Sequence, residues 1–327
     1  MAKKPVVLAL DLGGTNVRWA LVSRVGDILG RWEKATGTMP DQEALINGLA
    51  EVMLAAGEEA RKQGAEVQAA AFGVPGRILP EAGVVAFSPN IPALNDCPLI
   101  PRLNLLLPWP LTLENDANLF ALGEHWMGAG RGYDHMLGIT LGTGVGGGLI
   151  LNGILWPGTG GTTGEVGHIT VEPDGEKCNC GSRGCLETVA SGVRTVAWVK
   201  QELGRGASSW LRDLWQADPE AIVGETLVVA ARMKDPLALR AFARVGRYLA
   251  IAIADVVHLL GLTRIVLGGR FARAWEHFYP SLREELYRRL TLFPPEGVSV
   301  APALLNDDAG ILGAARLAWD NLDKGKE

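Results

Sequence analysis

The chain has 327 residues, 48% of them hydrophobic and 20% charged, and carries a net charge of −5. That length predicts about two domains of roughly 150 residues each, with enough apolar residues to bury their cores. The acidic balance argues against a general attraction to nucleic acid or anionic lipid, and the longest apolar stretch, Tyr248 to Leu260, is interrupted by Asp255 and His258 and falls short of the ~20 residues of a membrane span.

Val6–Leu10 reads as a buried strand that stops at Asp11-Leu12-Gly13-Gly14-Thr15, before a second strand-like run; this predicts a hairpin with a glycine turn. Asp41 is a predicted N-cap for a helix to about Gln63, with Leu45, Leu49, Val52 and Ala56 along one face. Val67–Val74 and Leu111–Leu113 follow as strands, and a helix passes through Ala121 and Leu122. Met136–Leu141, the turn Gly142–Gly148 and Leu149-Ile150-Leu151 then repeat the opening unit. Two such units predict two related α/β domains facing each other. Helices are predicted at 192–203, 219–232, 236–260 and 309–322, with a strand at Arg264–Leu267. The stretch Tyr248–Leu260 reads as a buried helix, and His258 as a core or interface histidine.

His168, Cys178, Cys180 and Cys185 place four soft ligands within eighteen residues, and the glycines of Cys178–Cys185 allow the backbone to aim three sulfurs at one point. The competing assignment is a disulfide. With no signal peptide ahead of the domain, a reducing cytosol and a metal are the better reading. Four protein ligands close the coordination sphere, so the predicted zinc is structural. Cys97 stands alone.

Glycine at a strand turn lets backbone N–H groups converge on phosphate oxygens, and two such turns can hold one triphosphate. Residues 142–147 also satisfy G-x-G-x-x-G, but that fingerprint must open a helix and here leads into a β-type run. The Walker A pattern and the protein-kinase signatures are absent. Tight hairpins alone are the structural alternative for both turns. Asp116 has two readings: an N-cap worth about 1 kcal/mol, or a general base accepting a hydroxyl proton. Glu165 and Glu187 flank the ligand run, so a metal-stiffened loop would hold two carboxylates, each able to accept from vicinal sugar hydroxyls. His168 can bind metal through one ring nitrogen and donate to a hydroxyl through the other.

Taken together, DLGGTNVR at 11–18, LGTGVGGGLILNG at 141–153, and GTGGTTGEVGH at 158–168 joined to CNCGSRGCLE at 178–187 resemble the motifs of the ROK family of repressors, open reading frames and sugar kinases. The resemblance covers nearly the whole chain. It implies an actin-like, sugar-kinase type α/β fold with ribonuclease H-like sheets and an active site in an interdomain cleft. A small N-terminal domain would comprise 1–113 plus 307–327, and a large one 114–306. By position, Asp116 resembles the catalytic base, and Gly76, Asn90, Asn115, Glu165, His168 and Glu187 resemble sugar contacts. Gly13, Gly14, Thr15, Thr143, Gly144, Gly268 and Gly269 would contact the nucleotide, and Asp11 would act on Mg²⁺ through water. Where many members have a third small residue after Gly268-Gly269, this chain has Arg270.

The implied activity is a cytoplasmic, ATP-dependent glucose kinase, homodimeric or homotetrameric by resemblance, with Mg²⁺ and structural Zn²⁺. N-acetylhexosamine, mannose, allose and fructose remain alternative substrates. Only ten residues precede Asp11, too few for the roughly 50 of a winged helix-turn-helix, so a repressor is disfavoured. A catalytically silent sugar sensor is disfavoured by the presence of Asp116 and both phosphate motifs.

Overall fold

The computed structural model describes residues 3–292 and 294–325. In chain order the first elements are β1 (Lys4–Leu12), β2 (Asn16–Ser23), β3 (Ile28–Ala35), α1 (Gln42–Lys62), β4 (Ala65–Val74) and the short pair β5 (Arg77–Leu79) and β6 (Val84–Phe87). Then come α2 (Leu99–Leu103), β7 (Leu111–Asn115), α3 (Asp116–Met127), β8 (Met136–Leu141), β9 (Val145–Leu151) and β10 (Ile154–Leu155). Five helices follow: α4 (Leu186–Ala190), α5 (Gly192–Gly204), α6 (Leu211–Ala217), α7 (Gly224–Arg232) and α8 (Pro236–Leu260). The chain ends with β11 (Arg264–Gly268), α9 (Trp275–Arg289), β12 (Ser299–Pro302) and α10 (Ala309–Lys324).

Two five-stranded sheets have orders β3-β2-β1-β4-β7 and β10-β9-β8-β11-β12, each a meander followed by two crossover strands. In the first, β1 is antiparallel to β2 and parallel to β4, which is in turn parallel to β7. In the second, β11 runs parallel to both β8 and β12. The predicted duplication of a glycine-turn hairpin is therefore present, at the start of each sheet. The strands β1 and β4 read as near-continuous apolar runs because both their faces are covered; Val6 to Leu10 and Ala69 to Val74 are buried.

The chain divides into two compact units, Met1–Asp134 with Gly148–Thr163 and Leu304–Glu327, and His135–Gly147 with Gly164–Ala303. This differs from the boundary at 113/114 implied by the family resemblance. The reason is that α3 packs on α10, and α10 in turn covers β1 and β4, so residues 116–127 share the core of the first sheet.

Asp41 caps α1, its side chain accepting from the Ala44 N–H at 2.8 Å, as its sequence context indicates. Three expectations need correction. Asn115, not Asp116, caps α3: its Oδ1 accepts from Ala117 and Asn118 N–H at 2.9 and 3.3 Å, which puts Asp116 in the first turn. The helix expected at 219–232 is a 3-10 turn at Pro219–Ala221 followed by α7, since Pro219 and Gly224 each open a new start. The helix α8 is amphipathic rather than wholly buried; Asp255, His258 and Leu259 lie on its exposed side, and His258 is no core residue.

Glu124 ties the end of α3 to the approach to α10. Its side chain is fully buried, with Oε2 accepting from the N–H groups of Ala129 (2.7 Å) and Leu304 (3.2 Å) and Oε1 from that of Leu305 (2.8 Å). Glu124→Ala would strand these donors, and is expected to destabilise the first unit by about 3 kcal/mol. A denaturant titration followed by circular dichroism checks this, and an unchanged midpoint would mean that water replaces the carboxylate.

Candidate active site

In the first unit, the candidate site residues gather at the carboxyl ends of the parallel strands, where open α/β sheets place ligands. Register aligns Asp11 of β1 with Gly73 of β4, and Gly73 with Glu114 of β7. The chain beyond each of these ends carries a candidate: the Gly13-Gly14-Thr15 turn after β1, Gly76 after β4, and Asp116 after β7. The turn is closed by an N–H of Gly13 donating to the Asn16 carbonyl at 2.9 Å, and is buttressed by Thr36, whose hydroxyl donates to the Gly13 carbonyl at 2.7 Å.

A Cβ on Gly14 would stand 3.0–3.1 Å from the carbonyl oxygen and Cβ of Asn90, so the first phosphate motif and a candidate sugar contact are direct neighbours. Gly76 has φ +111°, and a Cβ there would lie 2.1 Å from the Phe87 carbonyl, so only glycine fits this turn. Its own carbonyl accepts from Asn115 Nδ2 at 3.1 Å. The fold thus brings Gly14 with Asn90, and Gly76 with Asn115, which adjoins Asp116.

Asp116 is exposed, and its Oδ1 accepts from the Ala117 N–H at 2.9 Å. A carboxylate in the first turn of a helix is stabilised by the helix dipole. Asp11 is hemmed in, its carboxyl 3.7–3.9 Å from where a Cβ on Gly310 would sit. The resulting desolvation, opposed by Arg18 and reinforced by Asp307, pushes its carboxyl above the usual range.

In the second unit, Glu165 precedes a 3-10 turn, Val166–His168, that presents the His168 ring. His168 Nδ1 is 3.7 Å from Cys178 Sγ, Cys180 Sγ is 3.7 Å from Cys185 Sγ, and all four ligand atoms lie within 4.8 Å of one another. These spacings suit a tetrahedral metal: zinc–sulfur bonds of about 2.3 Å give an edge near 3.8 Å. They are far from the ~2.05 Å of a disulfide, and all four cysteines are free. Burial and the neighbouring Cys178 and Cys180 push the Cys185 thiol up to about 12, the strain a bound cation would relieve. His168 Nε2 points the other way, 3.8 Å from Glu165 Oε2.

The second glycine turn follows β8. Gly142 N–H donates to the Gly144 carbonyl at 3.0 Å, and Glu187 Oε2 accepts from the Val145 N–H at 3.0 Å. Thr143 is exposed on this turn. Gly268 pairs with Thr140 at the end of β11, and Gly269, at φ +87°, packs against the Leu141 backbone. The second glycine pair therefore lies beside the strand that feeds the turn, with Arg270 exposed just beyond it.

A model of the ROK family matches residues 7–321. The chain belongs to the ROK family. It is 39% identical over 316 residues to the glucokinase of Thermotoga maritima, covering 97% of this chain and 98% of that protein. Among solved structures, the ROK hexokinase of Thermus thermophilus is similar at TM-score 0.85 and 32% identity, over 98% of this chain and 100% of that one. A ROK glucokinase of Streptomyces griseus, solved with glucose and AMPPNP, is similar at TM-score 0.78 and 33% identity, over 96% and 99%. The α/β fold is thus the actin-like fold of ROK sugar kinases.

Sequence reasoning missed three residues that pack around the candidate site. Glu114 is buried, and its Oε1 accepts from Asn115 N–H (2.8 Å) and Asn118 Nδ2 (2.9 Å), bracing the segment that carries Asp116; burial, outweighing these bonds, raises its pKa. A carboxylate among strand-end residues was visible at Glu114, but its inward direction was not. Ser88 is buried beside Gly76, its backbone N–H donating to Asn95 Oδ1 at 2.7 Å. Gly192 N–H donates to the Gly142 carbonyl at 2.8 Å, a contact across fifty residues with no local signature.

Proposed function

We propose that this chain is an ATP-dependent hexose kinase that transfers the γ-phosphoryl group to the 6-hydroxyl of glucose. The observation that carries this reading is the alignment of Asp11, the Gly13-Gly14 turn, Gly76 and Asn115-Asp116 along one strand-end edge, with Asn90 against Gly14. It is supported by likeness to glucokinases over nearly the full chain.

In this reading Asp116 accepts the proton of the attacking hydroxyl. Asn90, Asn115, Glu165, His168 and Glu187 orient the sugar through hydrogen bonds to its hydroxyls, and Gly76 leaves room for it. Amides of Gly13, Gly14 and Thr15, together with Thr143 and Gly144, grip the phosphates, and Gly268 and Gly269 take the nucleoside side. Phosphoryl transfer passes through a loose transition state, so positioning and charge neutralisation dominate and the base contributes the remainder. Magnesium would arrive with the nucleotide and neutralise its phosphate charge, with Asp11 holding one of its waters. Zinc on His168 Nδ1, Cys178, Cys180 and Cys185 would be structural; this leaves His168 Nε2 to donate toward the sugar. Free thiols fit a reducing compartment, the cytoplasm, and no helix among the described residues is long and apolar enough to cross a membrane. A homodimer or homotetramer completes the proposal.

The test is a coupled assay of glucose, mannose, allose, fructose and N-acetylhexosamines against ATP, GTP and polyphosphate. Glucose with ATP is expected to give the highest kcat/KM. A higher value for another sugar would reassign the substrate, and no turnover with any pair would remove the kinase.

A further inference from the structure

Glu187 stands two residues after Cys185, on α4, yet its carboxylate does not simply face a sugar. Its Oε2 accepts the Val145 N–H at 3.0 Å, and a Cβ on Gly144 would come within 2.5 Å of that same oxygen. The other side of the turn is held from the same segment, since Gly192 N–H, five residues beyond Glu187, donates to the Gly142 carbonyl at 2.8 Å. Along the same segment, Ser191 N–H donates to the Glu187 carbonyl at 3.3 Å, and Leu186 N–H donates to that of Ile169, next to His168. Both ends of Gly142–Val145 are therefore fastened to the segment that leaves the cysteine loop, one by Glu187 of α4 and the other by Gly192 at the start of α5.

A glycine turn is permissive, and its amides converge only if something outside it selects one conformation. The Val145 N–H donates to the Glu187 carboxylate, which thereby fixes the far end of the turn. We propose that Glu187 is the positioning residue of the second glycine turn, setting donor affinity directly and linking the turn to the cysteine loop. Among the described residues only Oε2 of this carboxylate accepts a hydrogen bond, and Oε1 stays available for a sugar hydroxyl. The proposal rests on the kinase reading for the nature of the donor, and it makes one residue serve acceptor and donor at once.

The role has an electrostatic signature. An acceptor is required at Oε2, but a negative charge beside phosphates is not. Glutamine keeps the acceptor and removes the charge; alanine removes both. The experiment is isothermal titration of Mg·AMPPNP into wild type, Glu187→Gln and Glu187→Ala without any sugar, with thermal unfolding to verify folding and glucose titrated separately. Glu187→Ala is expected to bind AMPPNP about tenfold more weakly, from loss of one hydrogen bond to a partly buried amide. Glu187→Gln should match or exceed the wild type for AMPPNP while both variants lose glucose affinity. Wild-type AMPPNP affinity in Glu187→Ala would overturn the proposal, as would Glu187→Gln binding as weakly as Glu187→Ala. Either result leaves the kinase reading intact, whereas a wild type that binds no AMPPNP overturns both.

Discussion

Asp116→Asn is expected to lower kcat by at least about 10²-fold while leaving glucose binding within a few-fold of wild type, since general-base catalysis contributes about 10²- to 10⁴-fold. The substitution is close to isosteric, and an asparagine oxygen still accepts from the Ala117 N–H now held by Oδ1. The cap of α3 is untouched because it belongs to Asn115. What disappears is the ability to take a proton at an exposed position in the first helical turn. Turnover and binding must be read separately, by steady-state assay and by glucose titration. A variant turning over within about tenfold of wild type would place the base elsewhere, with Glu165 and Glu187 the next carboxylates to test.

Cys180→Ala is expected to abolish both metal retention and glucose binding. Cys180 is exposed, so its truncation removes little packing, and a loss of sugar binding would report the metal rather than a hole in the core. The mechanism is mechanical: with three ligands left, the segment from His168 to Cys185 loses its closed coordination, and Glu165 and His168 lose the frame that holds them 3.8 Å apart. Metal analysis of the purified native protein should give one zinc per chain and of the variant none. Native protein without stoichiometric zinc would eliminate this step, as would glucose affinity that survives the substitution.

Much of this arrangement could be read from the chain because its signals are local. The hairpins around Gly13-Gly14 and Gly142–Gly144 announce themselves by apolar runs stopping at glycine, and the four candidate metal ligands fall within one short segment. Helix α1 has its cap in Asp41 and a continuous apolar stripe. Other parts are silent for physical reasons. Asn115 and Asp116 are adjacent and both can cap, so local signals do not say which of the two caps α3. Strands β5 and β6 are too short for alternation to show. In α9, Pro280 interrupts a helix whose last turns are mostly charged, and the edge strand β12 ends in Pro302 and is only half-buried. The bond from Glu187 to Val145 joins residues 42 apart, and no periodicity encodes such a contact.

The path of the backbone has its own consequence. It passes from one unit to the other after Asp134, Gly147, Thr163 and Ala303. No uninterrupted stretch therefore spells out either half: residues 1–134 hold all five strands of the first sheet but lack α10, which covers β1 and β4. During synthesis the first strands must wait, with their α10-facing side uncovered, until residues beyond 303 have been made and Glu124 can fasten the amides of Leu304 and Leu305. Ribosome-bound chains stopped before that point should remain open to proteases at β1 and β4, however much of the second unit has already folded.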